Sequence, residues 1–183
     1  MPISIRQAIT AALALCTAAP ACAALPVGAK APDFATQASL AGKPFAFHLA
    51  DALRRGPVVL YFYPAAFTSG CTVEAHDFAA ASDAFARLGA TVIGVSGDPI
   101  DTLNRFSVSE CRNKFAVASA DARLLSSYKV KLPLFARSNR TSFVIAPDGA
   151  ILFAYSAFDP AGHVDKTMAA VKAWRAAHPA TSR

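Results

Sequence analysis

Charge is scarce in this sequence. Only 16% of its 183 residues are charged, with 18 Lys and Arg against 12 Asp and Glu. The basic residues are scattered, and Arg54 and Arg55 form the only adjacent basic pair. The net charge of +6 therefore makes no stripe able to grip a phosphate backbone, and nucleic acid is not an expected partner. No apolar run approaches the roughly 20 residues that cross a bilayer, so stable membrane insertion is not expected either. Repeats, low-complexity stretches and C-x-x-C pairs are also missing. Hydrophobic residues are plentiful at 54%, with a mean hydropathy of +0.35. That much apolar surface excludes a disordered polymer, and the length fits one domain. Four cysteines remain to be explained: Cys16, Cys22, Cys71 and Cys111.

Two of them fall in a leader. Arg6 supplies a short positive region, and Ala8 to Cys16 is apolar apart from Thr10. Pro20 then breaks the helix ahead of an A-x-A site at Ala21 to Ala23. This is the pattern of a secretory signal peptide over residues 1–23, cleaved after Ala23 and leaving a single domain at 24–183. The apolar stretch is too short for an anchor, and Leu15 before Cys16 does not fit a lipoprotein site. The expected address is outside the cytosol, in a bacterial periplasm. Cleavage removes Cys16 and Cys22, lowers the net charge to +5 and leaves Cys71 with Cys111. Two cysteines in an oxidising compartment suggest a disulfide, structural or redox-active.

Along the remaining chain, Ala24 to Thr36 reads as a Pro- and Gly-containing lead-in, and Phe45 to Leu49 as an edge strand. Val58 to Tyr63 is a continuous buried-strand run closed by Pro64. A helical pattern begins at Cys71, with Val73, Phe78, Phe85 and Leu88 on its apolar side, and stops at Gly89. Thr91 to Val95 predicts a second buried strand, and Pro99 or Asp101 opens a helix carrying Leu103 and Phe106. Phe115 to Ala118 reads as a short strand and Ala122 to Tyr128 as a short helix. Thr141 to Ala146 and Ala150 to Tyr155 form a hairpin across Pro147-Asp148-Gly149. Asp165 to His178 closes the chain as a helix with Met168, Val171 and Trp174 on one face. Alternating strands and helices, then a hairpin and a final helix, predict an α/β fold of thioredoxin-like type, a central mixed sheet flanked by helices.

The chemistry concentrates after the first buried strand. There a turn leads into a helix whose first turn carries Cys71. Free backbone N–H groups and the helix dipole favour an anion at that point, so the thiolate is stabilised. Thr68 can place a hydroxyl beside the sulfur, Gly70 allows a substrate close to the backbone, and Pro64 shapes and shields the turn. Taken singly, each residue has an ordinary alternative. A cysteine is most often a small buried hydrophobe, Thr68 a cap, Arg140 a surface charge and Glu74 a first-turn acid that complements the dipole.

Together, Pro64, Thr68 and Cys71 resemble the P-x-x-x-T-x-x-C motif of the peroxiredoxins. Tyr61-Phe62-Tyr63 before Pro64, and Glu74-Ala75 after Cys71, are similar to the PrxQ, or bacterioferritin-comigratory, subfamily of the AhpC/TSA type. Arg140 to Gly149 resembles the family segment that brings an arginine to the active site, and Gly28 to Phe34 resembles its opening. The resemblance runs from about Pro26 to Trp174. It implies a thiol peroxidase in which Cys71 thiolate attacks a peroxide O–O bond. Thr68, Arg140 and the Cys71 amide would hold the peroxide oxygens, and Glu74 would orient Arg140. The implied substrates are hydrogen peroxide and organic hydroperoxides, and the implied reductant is thioredoxin-like or another dithiol. The resemblance also implies a monomer and calls for neither cofactor nor metal.

The sequence departs from many PrxQ-type proteins five residues after Cys71, where their resolving cysteine is replaced by His76. The resemblance assigns that role to Cys111, with a buried structural cysteine or an external resolving thiol as alternatives. His76 reads as a surface helix residue. Lys129, Lys131, Arg137 and Arg140 surround Leu132 to Phe135, either as solvated charge around a packed loop or as the rim of the active site. Three other functions compete. A periplasmic thiol-disulfide oxidoreductase needs a thiol where Thr68 stands. A copper-binding assembly protein of the same fold needs a second nearby cysteine where Ala75 stands. A structural disulfide protein needs only the two cysteines.

Overall fold

A computed structural model describes residues 24–179, and the expected leader at 1–23 lies outside the described residues. The chain runs β1 (Ala35–Leu40), β2 (Lys43–His48), α1 (Leu49–Leu53), β3 (Val58–Phe62), α2 (Ser69–Arg87), β4 (Thr91–Ser96), α3 (Ile100–Ser109), β5 (Ala116–Ser119), α4 (Ala122–Ser127), β6 (Thr141–Ile145), β7 (Ile151–Ser156) and α5 (His163–Ala177). One seven-stranded sheet has the order β2-β1-β5-β4-β3-β6-β7. Strands β3, β4 and β5 are parallel, and the pairs on either side are antiparallel, so the sheet is mixed. Strand β3 is buried along its whole length near the middle, as its unbroken apolar run requires.

Strand alternation divides the core in two. Val58, Leu60 and Phe62 point to one face, where they meet Phe143, Ile145 and Tyr128 beneath α1 and α4. Val59, Tyr61 and Tyr63 point to the other, where Phe78 and Phe85 of α2, Leu103 and Phe106 of α3 and Val171 of α5 cover them. Each such buried side chain contributes roughly 1.5–3 kcal/mol. Tyr61 stacks on Phe78 with ring centroids 4.3 Å apart. Gly94, its neighbour on β4, makes room for the ring, because a Cβ there would lie 2.8 Å from the Tyr61 hydroxyl. Both Cys71 and Cys111 belong to this second cluster.

The structure differs from the sequence reading in four places. Residues 35–40, which run from the end of the expected lead-in into a stretch given no element, pair with β2 as a hairpin; Ala-Thr-Gln-Ala-Ser lacks the bulky alternation that marks a strand. Helix α1 was not anticipated, because its five residues give too short a pattern to register. Val73 is half exposed, and α2 instead turns Glu74, Ala75, Phe78, Ala79 and Phe85 inward. On α5 the buried line is His163, Thr167 and Val171.

Candidate active site

The turn between β3 and α2 is fixed by its neighbours. Tyr63 N–H donates to Val95 (3.0 Å), and its carbonyl accepts from Ser138 Oγ (2.8 Å). Pro64 then ends the strand. Ala66 N–H donates to Asp98 Oδ2 (2.7 Å), which also accepts from Ser96 Oγ (2.8 Å). Phe67 takes a left-handed φ of 64°. The sequence reading did not single out Asp98; its position at the carboxyl end of a buried strand was the available signal.

Thr68 is the N-cap of α2, in an extended conformation, and its side chain makes no cap hydrogen bond. Its hydroxyl donates to the Ala65 carbonyl at 3.0 Å, so here it braces the turn. Cys71 is the third helical residue, where backbone N–H groups have no intrahelical partner. It is 2% exposed, which leaves the sulfur at the bottom of the turn.

Arg140 reaches this sulfur from the segment just before β6. Its Nη2 lies 3.6 Å from Cys71 Sγ, its Nε donates to the Phe158 carbonyl at 3.1 Å, and its Nη1 donates to Glu74 Oε2. All three guanidinium nitrogens are engaged, and the side chain is buried. Arg140 is therefore no surface charge. Glu74 is no ordinary first-turn acid either, being completely buried. The group packed closest to Gly70 is the guanidinium itself: a Cβ there would meet Nη2 at 3.0 Å.

Behind Glu74 stands His163, the first residue of α5, which the sequence reading did not select. Its Nδ1 is 2.8 Å from Ser142 Oγ and 3.6 Å from Glu74 Oε1. Helical spacing from Val171 through Thr167 to His163 was the signal that placed it inward. Burial pushes the Glu74 carboxyl up to about 8 against the pull of Arg140, and burial pushes His163 down to about 4. Stability should depend on pH accordingly. His163 contributes stability above its ordinary 6.5 that is lost as pH falls toward 4. Glu74 contributes stability at low pH that is lost as pH rises from 4.5 through 8. The two oppose each other below 6.5, and only Glu74 acts above it. Denaturant unfolding should therefore show a loss on the order of 2 kcal/mol between pH 6.5 and 8, absent in Glu74→Gln.

Cys111 lies just past α3, is fully buried, and burial pushes its thiol well up. Both cysteines are free thiols. The next two residues, Arg112 and Asn113, hold left-handed φ values of 51° and 60°. His76 is half-buried, not simply on the surface: its Nε2 is 2.8 Å from Glu110 Oε2, beside Cys111. In the loop 131–138, Leu134 (87%) and Phe135 (60%) are exposed, so this loop is not packed around its apolar residues. Arg140 turns inward, away from the charges of Lys129, Lys131 and Arg137. Among the described residues, no group of three or more His, Cys, Asp or Glu could hold a metal ion.

Residues 27–154 match the model of the AhpC/TSA family. Peroxiredoxin Bcp of Xanthomonas campestris is 31% identical over 122 residues, 63% of this chain and 76% of that protein. The crystal structure of peroxidoxin BcpB from Mycobacterium tuberculosis superposes with a TM-score of 0.74 at 33% identity, covering 80% of this chain and 96% of that one. The structure of peroxiredoxin Q from Xanthomonas campestris gives a TM-score of 0.65 at 31% identity, covering 75% and 89%.

Proposed function

The chain belongs to the AhpC/TSA family as a thioredoxin-fold peroxiredoxin, a thiol peroxidase, and from that premise we propose that Cys71 is its peroxide-reducing thiol, resolved by Cys111. The observation that carries this reading is the Arg140 guanidinium, held by Glu74 and Phe158 with one nitrogen left against Cys71 Sγ. Cys71 thiolate attacks one oxygen of R–O–O–H, the O–O bond breaks, and the alkoxide takes a proton to leave as alcohol or water. Sulfur is oxidised to the sulfenic acid. Arg140 and the first-turn amides stabilise the anion before the reaction and the charge that moves onto oxygen during it. On this reading the Thr68 hydroxyl leaves the Ala65 carbonyl and donates to the bound peroxide.

The Cys111 thiol then condenses with the sulfenic acid, releasing water and forming the disulfide. A dithiol reductant of thioredoxin type reduces that bond and returns both thiols. Both sulfurs lie buried in the α2-side core, and on this reading the start of α2 and the segment after α3 open before the two bond. Two consecutive left-handed residues beside Cys111 make its segment the easier one to open. The His76–Glu110 pair spans the same junction and must separate. Such a pair is worth roughly 0.2–1 kcal/mol, so His76→Ala should speed disulfide formation about two- to fivefold in quenched-flow alkylation.

Phe67 and Phe158 are exposed, one in the active-site turn and the other accepting from Arg140 through its carbonyl. These apolar surfaces support organic hydroperoxides as substrates beside hydrogen peroxide. The periplasmic address and the monomeric state complete the proposal and rest on the leader pattern and the subfamily resemblance. The test is turnover: the purified mature protein should consume hydrogen peroxide and an organic hydroperoxide with a dithiol or thioredoxin. No consumption with either would contradict the reading.

A further inference from the structure

The active-site pocket does not balance its charges if every group takes its usual form. A Cys71 thiolate and a Glu74 carboxylate would set two buried anions against the single guanidinium of Arg140. Glu74 Oε2 is occupied by Arg140, but Oε1 is buried and accepts no hydrogen bond. An ionised oxygen left bare in the interior is costly. The polar atom facing Oε1 is His163 Nδ1, at 3.6 Å on a ring with no exposed surface. Ser142 Oγ holds that nitrogen at 2.8 Å, and the Tyr155 ring packs against the imidazole with centroids 4.8 Å apart.

We propose that Glu74 works as a neutral carboxylic acid, accepting from Arg140 through Oε2 and carrying its proton on Oε1, which faces the neutral ring of His163 across 3.6 Å, and that His163 is thereby a positioning residue of the active site. The neutral acid keeps the hydrogen bond that aims the guanidinium and withdraws the countercharge that would compete for it. Arg140's positive charge is then left to the sulfur and to the oxygen that leaves it. The directions of the two shifts agree: burial raises Glu74 and lowers His163, which gives a protonated carboxyl beside a neutral ring at neutral pH. The other charges around the pair come from four segments. Asp77 of α2 disfavours charge on Glu74, Lys166 of α5 and Arg140 disfavour charge on His163, and Asp159 of the β7–α5 connection favours it. Lys166 is itself held 3.6 Å from the centre of the Tyr155 ring. As pH rises and the Glu74 proton leaves, the carboxylate recaptures Arg140 and the reaction slows.

This assignment rests on Cys71 being the thiol that reacts with peroxide. The discriminating variant is Glu74→Gln, whose amide N–H takes the place of the acid O–H and whose carbonyl still accepts from Arg140. Its second-order rate with hydrogen peroxide at pH 7 should stay within about fivefold of the parent, and the decline on the alkaline side should disappear. A larger loss in the folded variant would show that the carboxylate charge is needed and would overturn the proposal. The second readout needs no substitution and no activity: nitrogen chemical shifts of His163 in the reduced protein. A neutral ring at pH 7 with Nδ1 unprotonated is expected, and an imidazolium there would overturn the proposal. Peroxide consumption surviving in Cys71→Ser would instead overturn the reading beneath it, so the two failures are separable.

Discussion

Cys71→Ser should abolish peroxide consumption, lowering the rate at least about a thousandfold while leaving the fold and its melting temperature nearly unchanged. The magnitude follows from chemistry. A serine hydroxyl at neutral pH is neither ionised nor polarizable enough to attack an O–O bond, whereas the thiolate is the reactive form of cysteine. The fold should tolerate the change because the two side chains differ little in size, and the new hydroxyl lies beside Arg140 Nη2 and the first-turn amides. The same variant sorts the rival functions. A structural disulfide protein would lose stability in Cys71→Ser without losing any activity. A thiol-disulfide oxidoreductase would lose dithiol exchange and would not have consumed peroxide beforehand.

Arg140→Leu should lower the second-order rate with hydrogen peroxide by about a hundred- to a thousandfold, the size expected when a preorganised charge aimed at the reacting atoms is removed. Arg140→Lys should recover only a small part of that loss. A lysine ammonium is a point charge on a flexible stem, and it cannot donate to Glu74, the Phe158 carbonyl and Cys71 from one planar fork. Stopped-flow competition for peroxide reads both variants directly. A loss of only a fewfold in Arg140→Leu would mean that the helix N-terminus alone activates Cys71.

The proposed reactive half of the site is more legible in the sequence than its support. Pro64, Thr68 and Cys71 are legible because they lie within eight residues, on a strand–turn–helix unit with a clear pattern of its own. Arg140 was legible through its place before a buried strand. Glu74 and His163 were harder. Glu74 sits 66 positions before Arg140 and lies in the second turn of α2, one turn further in than a helix starting at Cys71 would put it, and nothing around it in the sequence says that this acid points inward. Its burial goes with the pair it makes to Arg140, a contact between segments far apart in the chain. His163 and Ser142 meet through tertiary packing alone, the one opening α5 and the other on the α2-facing side of β6. The β1–β2 hairpin stayed hidden for a related reason. Edge strands of small and polar residues carry a weak hydrophobic pattern, and pairing partners decide their conformation.

Thr68 marks the other gap between sequence and structure. The motif places it beside the sulfur, while its hydroxyl rests on the Ala65 carbonyl. In the proposed mechanism the hydroxyl leaves that carbonyl to meet the bound peroxide. For Cys111 the relation is reversed. Its place near the end of α3 was readable, but its burial and the two left-handed residues after it were not.

The most direct measurement is intact-mass and peptide mapping of the reduced protein after one equivalent of hydrogen peroxide. The account predicts the loss of two hydrogens, mapped to a Cys71–Cys111 disulfide, and in Cys111→Ser a gain of one oxygen confined to Cys71. Oxygen added at Cys111 with Cys71 left as a free thiol would contradict it.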